Sequence, residues 1–268
     1  MKKLFEILGI AAVVVMLSPF LFAWVPGAGE WTVGLPAAYW HSLMTSFRQL
    51  SITLAFTVLV AGAVTVVLGY CSILWPVVGK TTAAVLDAVE SIPAILVALF
   101  CYAPVAVALA SNSASTSTIL SLSVFIFAAT LTTLPEAVRG VALPLGELYH
   151  RKYSVSLRSY GFTRGRILAV LLNSKDMRDV LRRTAAVILL KTLVLDCSFS
   201  FIIQVGMGAN GTPAHTSPGG LIAAWRMVML RDTDGSQALF WLPVILLVMV
   251  SFAFLLLLGQ DKQKEQHT

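Results

Sequence analysis

"RKYSVSLRSYGFTRGRILAVLL", residues 151–172, decides how the rest of the chain is read. Tyr153, Leu157 and Tyr160 fall at i, i+4 and i+7, the spacing that puts three side chains on one helical face. Ser154, Arg158 and Ser159 take the other sides. Gly161 supplies the permissive backbone that ends such a helix, and Thr163 is of the type that caps the next one. The stretch therefore reads as a short, basic helix–turn–helix. Periodicity leaves two uses open. Its apolar edge can enter a groove on a cytoplasmic partner, or its charges can rest on anionic lipid.

The surroundings are of another kind. The chain is 57% hydrophobic and 12% charged, with a mean hydropathy of +0.84, whereas soluble domains average about 25% charged residues. A hydrocarbon core of ~30 Å needs ~20 residues of helix, and the apolar runs reach that length repeatedly. The expected fold is all-α, a polytopic membrane protein with about six spans: Leu4 to Val25, Leu50 to Leu74, Val85 to Ala110, Ile119 to Val138, Ala185 to Val205 and Ala238 to Gly259. The first run exceeds the 7–15 residues usual for a signal-peptide core, so a retained helix is expected. "SNSASTST" (111–118) reads as a turn between the third and fourth spans. Residues 1–49 form the first helix and an outer segment, 50–260 the main body with a cytoplasmic loop at about 139–184, and 261–268 a polar tail.

Lys and Arg set the orientation. With the N-terminus inside, the inner segments hold Lys2, Lys3, Lys80, ten basic residues from Arg139 to Arg183, Lys262 and Lys264, fifteen of the nineteen in the chain. The outer segments hold Arg48, Arg226 and Arg231. Both termini and the opening stretch are thus expected in the cytoplasm. Outside, residues 26–49 carry Trp31, Tyr39 and Trp40, which suit the headgroup zone. "GMGANGTPAHTSPGG" (206–220) leads into "LIAAWRMVML", too short to span and read as an interfacial or re-entrant helix.

The hairpin resembles the cytoplasmic loop of binding-protein-dependent ABC importer permeases of the dipeptide/oligopeptide/nickel family, with the pattern E-Y-x-E-A-A-R-A-L-G followed by R-I-L. Tyr153, Arg158, Gly161 and Arg166 to Leu168 match by position. "LPEAVRG" is similar to that family's W-P-x-x-x-R, placing Pro135 and Arg139. "VLDAVESIPAILVALF" (85–100) places Asp87 and Pro93; "LDCSFSF" (195–201) places Asp196, Ser198, Ser200 and Phe201. "SPGGLIAAW" resembles a later segment, so ordered matches run over about residues 50–230. The departures are Val155 for the motif's glutamate, Ser156 for an alanine and Ser174 for the proline of a Leu-Pro pair.

The resemblance implies an ABC importer type I permease fold. It implies a second, non-identical permease subunit, two cytoplasmic ABC ATPases and an extracytoplasmic solute-binding protein in a bacterial inner membrane. Tyr153, Leu157, Arg158, Tyr160, Gly161 and Arg166 would form the ATPase-coupling loop. ATP and Mg would sit on the ATPases, since the chain shows no P-loop and no catalytic cluster. The cargo class implied is peptides or a chelated metal such as nickel. Val155 removes a charge from the loop, and the partner permease is expected to carry the standard version.

Asp87 and Pro93 in the third span, and Asp196, Ser198 and Ser200 in the fifth, are candidates for the translocation path or its gate. An acid at a helix centre costs ~2.5–3.5 kcal/mol on insertion scales and should face protein or water. A hydrogen bond to a neighbouring helix, helped by Lys191, explains Asp196 as well, and helix packing explains the serines. Asp87 and Glu90 are expected to complement the N-terminus of the third span, and Pro93 to kink it. Gly62 and Gly69 read as close-packing positions. Cys71, Cys101 and Cys197 are scattered, as are the four histidines, so no metal site and no disulfide framework is expected. No nucleic-acid partner is expected; membrane lipid is. The rival classes are an ATP-independent channel or secondary transporter, for which no inverted repeat is evident, and a membrane scaffold.

Overall fold

Trp75 precedes a proline, and its backbone is extended (φ −123°, ψ 102°). The pyrrolidine ring of Pro76 disfavours helical geometry at the residue before it and suits the first position of a new helix. Two helices therefore meet there: α2, Ala37–Leu74, and α3, Pro76–Glu90. The computed structural model describes residues 9, 11–27, 34–111, 114–206, 217–226 and 237–259. Within these the chain is helical throughout its elements. Residues 11–16 are helical and lead into α1, Ser18–Ala23; after α3 come α4, Ala94–Ser111, and α5, Ala114–His150. The hairpin is α6, Lys152–Ser159, and α7, Arg164–Leu172; then follow α8, Lys175–Gly206, α9, Pro218–Trp225, and α10, Gln237–Gly259.

Among the described residues four helices are long and apolar enough to cross a membrane: Ala37–Leu74, Ile119–His150, Lys175–Ile202 and Gln237–Leu256. The broken pair Pro76–Glu90 and Ala94–Pro104, bent by 89°, makes five if it is one span. Among the described residues the chain is thus all-helical, with the long apolar helices of a membrane protein. The run expected as a first span, Leu4 to Val25, lies partly outside the described residues. The last span keeps its expected bounds, but others shift. The second helix begins at Ala37, not Leu50, and absorbs Tyr39 and Trp40 from the expected outer segment; Trp31 is outside the described residues. Most of the "SNSASTST" turn belongs to α5, which starts at Ala114 and runs on to His150 through Pro135 and Pro144. With α8 starting at Lys175, the loop contracts to residues 151–174.

The third span departs most. Residues 91–93 interrupt it, and Pro93 stands in the break, its carbonyl accepting the N–H groups of Leu96 and Val97 at 2.9 and 3.3 Å. Pro93 thus starts α4 rather than kinking a continuous helix. Asp87 and Glu90 consequently occupy the C-terminal turn of α3, where the helix dipole disfavours acids. The expected N-terminal role is overturned.

Bundle packing is dominated by α2 against α5 and by α8 against α5 and α9. One core joins Leu43, Phe47 and Leu50 of α2 to Leu193 of α8 and Val250 of α10. A second stacks Tyr102 on Phe199 edge-on, ring centroids 5.0 Å apart, with Phe125 beside them. Small residues allow the close approaches, as expected for helices without a hydrophobic drive to associate in lipid. A Cβ on Gly69 would lie 3.3 Å from the Val141 side chain, whereas one on Gly62 would meet nothing within 4 Å. The close-packing expectation holds for Gly69 and fails for Gly62.

Candidate functional site

The last carbonyls of any helix lack intrahelical donors, and the hairpin begins by supplying them to α5. Arg151 is extended (φ −67°, ψ 156°) and turns the chain. Ser154 then donates its hydroxyl to the Leu148 carbonyl at 3.0 Å, and Arg158 donates from Nη2 to the Tyr149 carbonyl at 3.1 Å. The Arg158 guanidinium also stacks 4.1 Å from the Tyr149 ring centroid, a cation–π contact. Ser154 is fully buried. These polar bonds, more than apolar periodicity, fix how α6 is rotated.

The expected three-residue face is divided by that rotation. Leu157 turns onto the packed side, while Tyr153 and Tyr160 stay 58% and 78% exposed. Val155, where the resembled motif has glutamate, is also exposed. At the end of α6, Gly161 has φ +82°. Its N–H binds the Arg158 carbonyl at 3.0 Å, and the Phe162 N–H binds that of Leu157 at 3.2 Å. This pair of bonds is the Schellman closure, which asks for a left-handed residue at the glycine position.

Helix α7 fastens the hairpin to the bundle. Ile167, Leu168 and Leu171 are buried with Val141 and Leu145 of α5 and Met177 of α8. The Tyr70 hydroxyl of α2 donates to the Gly165 carbonyl at 3.1 Å. Arg166 lies 5.0 Å from the Phe162 ring centroid. Thr163 holds the cap position before α7, but its side chain makes no capping bond. Capping chemistry appears one helix later, where the Met177 N–H points to the Ser174 hydroxyl at 3.4 Å. Three long helices thus converge on one small, tyrosine-bearing projection.

A second group of residues runs along the spans. Arg139 of α5 pairs with Asp87 and, at 2.7 Å, with Glu90 of α3. Lys191 of α8 pairs with Glu136 of α5, and so is engaged across the bundle rather than with Asp196. All five side chains are about half exposed in the single chain. Ionised groups at membrane depth favour protein or water over hydrocarbon. Beside them, Glu136, Gly140, Pro144, Arg183 and Thr184 line a cleft of about 240 Å³. The sequence alone assigns Lys191 to Asp196 and gives Glu136 no role, although an isolated charge in an apolar run is the signal that marks it.

Asp196 and Ser200 are buried, and Ser198 is half-buried. Asp196 sits where α9 docks on α8: its carbonyl is 3.5 Å from the Ser217 hydroxyl, and a Cβ on Gly219 would come within 2.1 Å of the Cys197 carbonyl oxygen. Helix α9 is therefore wedged against a spanning helix. The structure does not join the two candidate path groups directly: Asp87 is held by Arg139, Asp196 lies by α9, and Pro93 starts α4. Among the described residues no group of three or more His, Cys, Asp or Glu side chains is placed to hold a metal ion. No known family model matches the chain, and no curated protein matches it by sequence.

Proposed function

We propose that the chain is one transmembrane subunit of an ATP-driven, binding-protein-dependent importer in a bacterial inner membrane, with its termini in the cytoplasm. The observation that carries this reading is the α6–α7 hairpin. Its inner side is hydrogen-bonded to the ends of α2 and α5 at Tyr70 and Tyr149 and packed on α8 at Met177, while Tyr153, Val155 and Tyr160 are exposed. A partner that pushed on the outward side would move three spans together.

In this reading two cytoplasmic ATPases grip such hairpins, one on this chain and one on a non-identical second permease. The five-residue charged row on α3, α5 and α8 then faces the partner subunit or the path between them, which relieves its exposure to lipid. An extracytoplasmic binding protein delivers peptides or a chelated metal such as nickel. ATP-driven closure of the ATPases biases the subunits between two arrangements. Support also comes from the ordered likeness of residues 50–230 to that permease family.

The test is co-purification of the tagged chain followed by a coupling assay on what accompanies it. A second permease and Walker-motif ATPases are expected, and Gly161→Pro in the hairpin is expected to uncouple ATP hydrolysis from uptake. Transport and ATPase stimulation at wild-type levels in that variant would sink the proposal.

A further inference from the structure

At the end of α2 opposite the hairpin, His41, Thr45 and Arg48 recur at i, i+4 and i+7, one helical face. They look across a cleft of about 190 Å³ at the turn that follows α1, Val25 to Gly27, with Ala23 and Met44 as its floor. The Arg48 guanidinium lies 5.0 Å from the Trp24 ring centroid, and the Trp24 indole N–H is fixed by the Ser51 hydroxyl at 2.9 Å. No ion pair involves Arg48 among the described residues. The final carbonyls of α1 do not call for it either, because Leu21 and Phe22 already accept the N–H groups of Trp24 and Val25 at 3.2 and 3.1 Å.

Depth narrows the choice of ligand. At 1.5 Å per residue, Arg48 stands ~33 Å along α2 from Tyr70, about the thickness of the hydrocarbon core. Tyr70 touches the hairpin; with the hairpin at one membrane surface, as the proposed function has it, Arg48 falls at the other, at headgroup level. An exposed tryptophan, an arginine over its ring, a hydroxyl and an imidazole there offer donors to a tetrahedral oxyanion and an apolar wall to whatever is attached. We propose that this cleft binds a phosphate oxyanion, supplied by the headgroup of an anionic phospholipid.

The purified full-length protein in mild detergent would be titrated with phosphatidylglycerol, phosphatidylcholine or inorganic phosphate while tryptophan fluorescence is followed. Phosphatidylglycerol is expected to change the emission and phosphatidylcholine to leave it unchanged. The response should vanish in Trp24→Phe and need about tenfold more lipid in Arg48→Gln, the loss of a charge-assisted bond. An equal response to inorganic phosphate would uphold the oxyanion site and assign it to a soluble ion. Equal responses to both lipids, or wild-type titration by Arg48→Gln, would overturn the proposal. Should Arg48→Gln fail to fold, Arg48→Lys and the exposed-site change His41→Gln decide: each must weaken the titration, and unchanged titration in either overturns it.

Discussion

Arg139 holds Asp87 and Glu90 at once, and so ties the last turn of α3 to the middle of α5 just before the chain breaks and turns by 89° into α4. The two acids are there against the helix dipole, so the guanidinium is what makes their position tolerable. Arg139→Gln is expected to lower the thermal midpoint in detergent more than Asp87→Asn does. Adding Asp87→Asn and Glu90→Gln to Arg139→Gln should recover part of the loss, because the repelling pair is then gone. Strict additivity of the three changes would contradict the shared contact.

The pair Lys191–Glu136 makes a related prediction. Removing one member leaves a lone charge at membrane depth, whereas removing both leaves none. Lys191→Met should therefore destabilise more than Lys191→Met with Glu136→Gln. Thermal unfolding of the single and double variants reads the difference.

Gly161 is the position where backbone conformation, not side-chain contact, is decisive. With φ +82°, Gly161→Ala costs about 1 kcal/mol and loosens the hairpin locally. Limited trypsin digestion should cut after Arg158 or Arg164 faster in the variant, while global unfolding moves little.

Tyr160 separates surface from support. It is 78% exposed, and surface substitutions away from special features stay within about 0.5 kcal/mol. Tyr160→Ser is expected to leave the melting curve in place while reducing ATPase stimulation in the assembled complex. Equal loss of both would show that the tyrosine supports the fold instead.

Gly219 reports on the wedge of α9 against α8. A Cβ there would fall 2.1 and 2.6 Å from backbone atoms of Cys197, and backbone cannot rotate aside. Gly219→Ala should cost about 1–3 kcal/mol and expose Cys197 to a thiol reagent, which mass spectrometry would detect.

Some of this architecture was plain from residue order alone. Span ends flanked by polar residues, as at Gln237 and Gly259, show as changes of composition, and the hairpin shows as a basic patch with a glycine in it. The break at residues 91–93 does not: Val85 to Ala110 is apolar on both sides of it, and whether Pro93 kinks, ends or starts a helix depends on what surrounds it. Pro135 and Pro144 make the same point from the other side, since α5 passes through both. The Arg139–Asp87 contact joins residues 52 apart, and nothing local announces it. Periodicity places Ser154 only on a side of α6 away from the apolar face, because its acceptor, the Leu148 carbonyl, is set by how α6 folds back on α5.

One consequence follows from the length of α2. Its 38 residues make a rod of ~57 Å, carrying Arg48 about 17 Å from one tip and Tyr70, in touch with Gly165, near the other. A tilt of about 5° swings one tip by about 5 Å relative to the other, so bilayer thickness, which sets helix inclination, acts as a lever on the posture of the hairpin.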